Sequence, residues 1–210
     1  MQDLSPLHQA ILNGDAKAAK AITEQALAAG VDPVKLVQEN MVPAMSEVGQ
    51  KFECNEYFVP ELLLAARAMK AALELVRPLL VAGGIEPIGR VVIGTVKGDM
   101  HDIGKNLVSA MLEGGGFEVI DLGVNVPPDR FVAAVKEKNA KIVALSALLT
   151  TTMPSMKATI DAFKEAGIRE QVKILIGGAP VTQRYADEIG ADGYSDSAAN
   201  AAGLARQVSS

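Results

Sequence analysis

The stretch "GTVKGDMHDIGKN" at positions 94–106 holds His101, one of only two histidines in 210 residues. Asp99 lies two residues before it and Asp102 directly after it. A carboxylate two positions back along a bent loop can accept the Nδ1–H of the imidazole. That bond fixes the tautomer, leaves the Nε2 lone pair free and raises the basicity of the ring. An imidazole so equipped can ligate a metal. A loop histidine bonded only to its immediate neighbours is the plainer alternative. Asp102 is placed to cap a helix beginning at Ile103. Gly104 then opens that helix without a side chain, so a bulky group can pass close to the backbone.

A catalytic zinc wants about three protein ligands, and neither His8 nor Cys54 is positioned to join His101. One histidine can still serve a metal already held by a macrocycle, whose equatorial nitrogens come with the cofactor. That points to a haem or a corrinoid.

The surrounding pattern says where such a histidine would sit. After residue 89, apolar strand-like runs alternate with helical segments: "RVVIGTV", "FEVIDLG", "KIVALSAL", "VKILIGG" and a weaker fifth at "ADGYS". Helices are expected near 103–114, 128–138, 153–166 and 181–189, with a last one from about 197. Buried strands spaced by helices imply a parallel sheet with helices on both faces. Five such units favour a flavodoxin-like order, in which ligands bind at the carboxyl edge beside the topological switch point. The first strand ends near Val96, so His101 lies in the first loop of that edge.

Before residue 82 the grammar is helical. Ser5 reads as a cap with Pro6 behind it, Asp15 caps a second helix, and Asp32-Pro33 starts a third that Pro43 should kink. A fourth begins near Pro60. Four helices with short connections form a small bundle. The expected division is a helical cap domain at 1–84, a Gly- and Pro-bearing linker at 85–89 and a flavodoxin-like domain at 90–210.

Composition narrows the function classes. Hydrophobic residues make up 49% and charged residues 21%, which suits a folded globular protein. Twenty basic against 25 acidic residues give a net charge of −5, unlike a nucleic-acid surface, and the absence of Trp removes a common base-stacking platform. No run approaches the ~20 apolar residues of a membrane span. The polar, acidic N-terminus is unlike a targeting peptide, and the single Cys54 suits a reducing cytoplasm. Cys54 reads as a buried small hydrophobe. On spacing alone, Phe52, Phe58 and Val59 read as core.

"DMHDIG" (99–104) resembles the D-x-H-x-x-G signature of cobalamin-binding domains, and "DMHDIGKN" resembles their methyl-carrying branch. "SALLTTT" (146–152) and "IGGAP" (176–180) add to the resemblance. So does "GQKFECNEYFVPELLLAARAMKAA", which is similar to the helical cap of methionine synthase and of small corrinoid proteins. The resemblance implies a cobalamin or related corrinoid with His101 as the lower axial ligand of cobalt. It implies a relay of Asp99, His101 and Thr152, the last often Ser in relatives. Gly98, Met100, Asp102, Ile103 and Gly104 would lie against the cofactor. Ser146, Leu148, Gly177 and Gly178 would line a slot for the displaced nucleotide tail, with Thr150 and, near the fifth loop, Tyr194 as further cofactor-binding residues. Phe52 and Val59 would cover the upper corrin face.

The function so implied is a methyl carrier cycling between Co(I) and methyl-Co(III). It would work between a substrate-specific methyltransferase and a second one, corrinoid:tetrahydrofolate or corrinoid:thiol, with a reductive activation protein as a further partner. No nucleic acid or membrane partner is implied. Methanol, methylamines, glycine betaine and methoxylated aromatics all remain open as methyl donors. A cobalamin-dependent sensor is the principal alternative, although the missing Trp and basic DNA-binding domain speak against it. A detached mutase subunit and a module that has lost its cofactor are the others.

Overall fold

The computed structural model describes residues 4–83 and 88–209. Residues 85–87 of the expected linker, with Gly84 before them, lie outside the described residues. The chain divides into a helical unit, Met1–Pro87 with Glu113–Gly116, and an α/β unit, Ile88–Leu112 with Phe117–Ser210. Among the described residues no helix is long and apolar enough to cross a membrane.

The helical unit consists of α1 (Ser5–Leu12), α2 (Ala16–Ala28), α3 (Pro33–Lys35), α4 (Val42–Glu53) and α5 (Val59–Ala82). Asp15 and Asp32 act as caps, accepting from the backbone N–H of Ala18 and Val34, each at 2.9 Å. Ser5 does not. The Leu4 carbonyl accepts from Leu7 at 3.0 Å, so the helix starts one residue early and Ser5 is already inside it. Where a kink is expected at Pro43, the chain forms a π-helical turn, Leu36–Met41, that joins α3 to α4. Widening the helix there accommodates a ring that would otherwise collide with the carbonyl four residues back.

Leu7, Ile11, Leu36, Met41, Met45, Leu62 and Met69 are buried. Phe58 is 62% exposed, and Val59 and Cys54 are exposed with it, against the expectation of a core position. The Phe58 backbone N–H donates to Glu61 at 2.9 Å, which fixes residue 58 at the mouth of α5. Leu62, Ala65 and Met69 take the buried face of that helix. Phe52 is half-buried.

In the α/β unit, β1 (Arg90–Thr95), β2 (Glu118–Asp121), β3 (Ile142–Ser146), β4 (Lys173–Gly177) and β5 (Gly193–Ser195) form one parallel sheet in the order β2-β1-β3-β4-β5. That is the flavodoxin-like order, with its switch point between β1 and β3. The intervening helices are α6 (Ile103–Gly114), α7 (Pro128–Lys138), α8 (Pro154–Glu165), α9 (Gln183–Ile189) and α10 (Ala198–Ser209).

Val92, Val143, Leu145, Ile174 and Ile176 pack with Phe131 of α7, Ile160 and Phe163 of α8 and Ile189 of α9. The alternate strand residues Val91, Ile93 and Leu175 are buried as well, as both faces of a covered parallel sheet must be. Gly94 makes room for a ring: a Cβ there would stand 2.8 Å from Phe131. The register aligns Thr95, Ser146, Gly177 and Ser195 at the carboxyl edge, a row of small residues across four strands.

Candidate functional site

Two loops leave the carboxyl edge on either side of the switch point: residues 96–102 after β1 and 147–153 after β3. Asp99, in the first loop, is fully buried, and its carboxylate gathers donors from both. Oδ1 accepts from the His101 backbone N–H at 3.1 Å and lies 2.7 Å from His101 Nδ1. Oδ2 accepts from the Leu148 N–H at 2.8 Å, the Leu149 N–H at 3.2 Å and the Thr152 hydroxyl at 2.7 Å.

Burial alone would raise the Asp99 pKa. The hydrogen bonds from Thr152, His101 and Leu148 outweigh it and hold the carboxyl well below the usual carboxylate range. An ionised carboxylate only accepts, so the proton between the two side chains belongs to Nδ1. In the neutral ring the lone pair is then on Nε2, for which no described residue is a hydrogen-bond partner, on a side chain that is 49% exposed. Thr152 Oγ1 also lies 2.8 Å from the Leu149 carbonyl, so its single proton has two acceptors within reach.

The imidazole is set among apolar groups that face solvent. Met100 is 66% and Ile103 73% exposed, and Leu148 and Leu149 are exposed beside them. Apart from its chain neighbours and the backbone of its own helix, no atom lies within 4 Å of a Cβ built on Gly104. Four exposed large apolar residues, two flanking His101 in the chain and two whose amides bond the same carboxylate, offer a surface for a broad apolar ligand.

The other expected residues fall as follows. Gly98 has a left-handed φ of 87°, and its N–H donates to Asn125 Oδ1 at 2.8 Å. Asp102 accepts through its carbonyl from the Asn106 N–H at 2.8 Å. Its carboxylate takes the Asn106 side-chain amide at 3.1 Å instead of capping a backbone N–H of α6. Ser146 and Gly177 occupy the row of small residues, and Gly178 follows directly. Thr150 is exposed in the turn after β3, whereas the Tyr194 ring packs against the hydrophobic core. Phe52 and Val59 belong to the helical unit.

Sequence reasoning missed the amide of Leu149, Thr95, Asn125 and the buried Lys105. Two of these left a signal. Asn125 is of a residue type that tolerates the left-handed backbone it adopts, with φ at 52°. Lys105 puts a cation in the first turn of a helix, where the dipole disfavours it.

A flavodoxin-like sheet that presents a tethered imidazole at its switch point defines a ligand-binding α/β domain. The comparisons with known proteins specify which. Residues 89–202 match the B12 binding domain family, and residues 4–77 match a second family model of the same description. The chain belongs to the B12 binding domain family. It is 46% identical over 201 residues to a trimethylamine corrinoid protein of Methanosarcina acetivorans, covering 95% of this chain and 93% of the relative. A cobalamin-binding protein of Desulfitobacterium hafniense superposes with a TM-score of 0.82 at 35% identity, covering 99% of this chain and 98% of that one. The methanol:cobalamin methyltransferase complex of Methanosarcina barkeri contains a chain that matches with a TM-score of 0.86 at 31% identity, covering 97% of this chain and 78% of that one.

Proposed function

We propose that the protein is a corrinoid-binding methyl carrier in which His101 is the lower axial ligand of cobalt. The observation that supports this most directly is the Asp99–His101 pair: a buried, ionised carboxylate holds the proton on Nδ1 and leaves a half-exposed Nε2 free to donate. The residues present fit the group. A single neutral imidazole is the donor set that a macrocycle-held metal requires. Met100, Ile103, Leu148 and Leu149 offer apolar contact, and the space outside Gly104 admits a large ligand. A corrinoid bound there supplies the cobalt that accepts and donates a methyl group.

The chain's own residues orient and tune. Asp99 fixes the tautomer and favours any positive charge that develops on the ring, while Thr152 and the amides of Leu148 and Leu149 keep Asp99 ionised. Ser146, Gly177 and Gly178 are assigned to a slot for the nucleotide tail. The helical residues before position 85 are assigned to a cap domain, with Phe52 and Val59 as the cover over the opposite corrin face. The partners in this reading are a substrate-specific methyltransferase, a second methyltransferase acting on tetrahydrofolate or a thiol, and a reductive activator. The trimethylamine corrinoid protein among the relatives favours a methylamine as the methyl donor.

His101→Ala is expected to bind hydroxocobalamin at least about tenfold more weakly and to lack the absorption signature of a histidine on cobalt. A spectrum identical to that of the parent would refute the ligand assignment. Val59→Ala tests the cover. Since Val59 is exposed in the helical unit, its loss should leave the fold intact. Photolysis of protein loaded with methylcobalamin should become several-fold faster, because a covered radical pair recombines. An unchanged photolysis rate would remove Val59 from the cover.

A further inference from the structure

Asp99 holds the His101 ring and the His101 N–H, but the His101 carbonyl, on the following peptide, is held from elsewhere. The Thr95 hydroxyl, fully buried at the end of β1, donates to the His101 carbonyl at 2.8 Å. Thr95 is itself fixed from the β2 side: its N–H donates to the Gly123 carbonyl at 3.0 Å, and its carbonyl accepts from the Val126 N–H at 3.0 Å. The Gly123 N–H donates to Asp121 Oδ1 at 2.8 Å, and the other oxygen of that carboxylate takes the Lys105 ammonium. Lys105 Nζ also donates to Asn106 Oδ1 at 2.7 Å. Asn125 closes the arrangement, since its N–H donates to the Asp99 carbonyl at 2.9 Å while its side chain takes the Gly98 N–H.

Two sets of bonds thus converge on one residue, one set on each of the two peptides that flank the His101 Cα. The Asp99 set draws on the loop after β3; the other draws on β2 and the first turn of α6. A buried cation in that turn opposes the helix dipole and loses hydration. Its placement is accounted for by what it fixes, the end of β2 against the start of the helix that follows His101.

We propose that Thr95, backed by the Lys105–Asp121 pair, is a second positioning residue for the His101 imidazole. With the peptide before His101 held at its N–H and the peptide after it held at its carbonyl, the Cα between them is fixed and the ring has one direction in which Nδ1 meets Asp99. Releasing the carbonyl lets the peptide after His101 rotate, the Cα shift and the Nδ1–Asp99 bond lengthen, without touching Asp99 itself. The proposal rests on the reading of His101 as the functional ligand, and its test is arranged to stand apart from that reading.

The test uses the full chain without corrinoid, with its histidines labelled with nitrogen-15, at mildly alkaline pH. Only two histidines contribute, so His101→Ala assigns the spectrum. In the parent the proton should reside on Nδ1 of His101. Thr95→Val keeps the shape of the strand residue and deletes the hydroxyl. It should shift the Nδ1–H to Nε2–H ratio by about fivefold toward Nε2–H, the equivalent of one ordinary hydrogen bond. Thr95→Ser, which retains the hydroxyl, should restore the parent ratio. Asp121→Asn weakens the support at a partly exposed position, and a smaller shift in the same direction is expected. It also reports should Thr95→Val fail to fold.

An unchanged ratio in both Thr95→Val and Asp121→Asn, or a shift in Thr95→Val that Thr95→Ser does not reverse, overturns the proposal. Failure of the corrinoid reading would appear elsewhere, as parent protein that binds no hydroxocobalamin.

Discussion

Adding one methyl group at Gly178 is expected to lower the unfolding free energy of the α/β unit by about 3 kcal/mol or more. Gly178 has φ at 132°, which side chains rarely adopt. A Cβ there would lie 1.9 Å from the carbonyl oxygen of Ala147 and 2.9 Å from its carbon. Backbone cannot retreat as a side-chain tip can, because the Ala147 N–H is bonded to the Gly177 carbonyl at 3.2 Å. Urea titration of Gly178→Ala, followed by circular dichroism, should show a clearly lowered midpoint. A midpoint within error of the parent would mean that β3 and β4 are far less tightly coupled at this edge than their register implies. Gly104→Ala is the matched control. Apart from its chain neighbours and the backbone of its own helix, nothing stands within 4 Å of its Cβ, so stability should hold or rise by up to about 1 kcal/mol. Corrinoid affinity should nevertheless fall, since the added methyl occupies the space assigned to the ligand.

Asp99→Asn is expected to reverse the polarity of the site. The carboxylate accepts from five donors, whereas an amide offers one oxygen and one NH₂ group. The oxygen must face the two loop amides and Thr152, because turning NH₂ toward two N–H groups would leave both unbonded. NH₂ then faces Nδ1, which can accept only if the ring proton moves to Nε2. The lone pair that pointed outward is consumed inward, and the histidine-on-cobalt signature should disappear at neutral pH. The His101 backbone N–H loses its acceptor, at a cost of about 2–3 kcal/mol in stability.

The pH dependence has a definite sign. The Asp99 pKa is depressed in the folded state, so its contribution is complete above the ordinary carboxylate range. It is lost as pH falls from about 4 toward the folded value. The parent should therefore lose stability through that acid range more steeply than Asp99→Asn. Parallel acid limbs would show that the carboxylate is not held in its charged form by the fold.

The sheet was legible because its strands are short apolar runs with helices between them, a pattern that few architectures satisfy. His101 and Asp99 were legible because they are two residues apart. Thr152 was legible only through the family resemblance, and the backbone donors to Asp99 were not anticipated as such, since Leu148 and Leu149 lie 49 and 50 residues away and act through backbone N–H groups that any residue type possesses. Thr95 was hidden as an ordinary strand residue. Ser5 was misread because Leu4, with no capping side chain, supplies the first carbonyl of the helix. Phe58 and Cys54 were misread because composition does not show which apolar residues a short connection turns outward.

The distance along the chain between Asp99 and Thr152, 53 residues, also sets a clock. During synthesis His101 emerges long before the loop that completes its support. At ~5–20 residues per second that interval is about 3–10 s. Throughout it the nascent chain displays an ordinary, unoriented histidine. The full set of bonds that directs the lone pair is complete only when β3 has joined the sheet, so if His101 is the cobalt ligand proposed above, metal capture should follow folding of the domain.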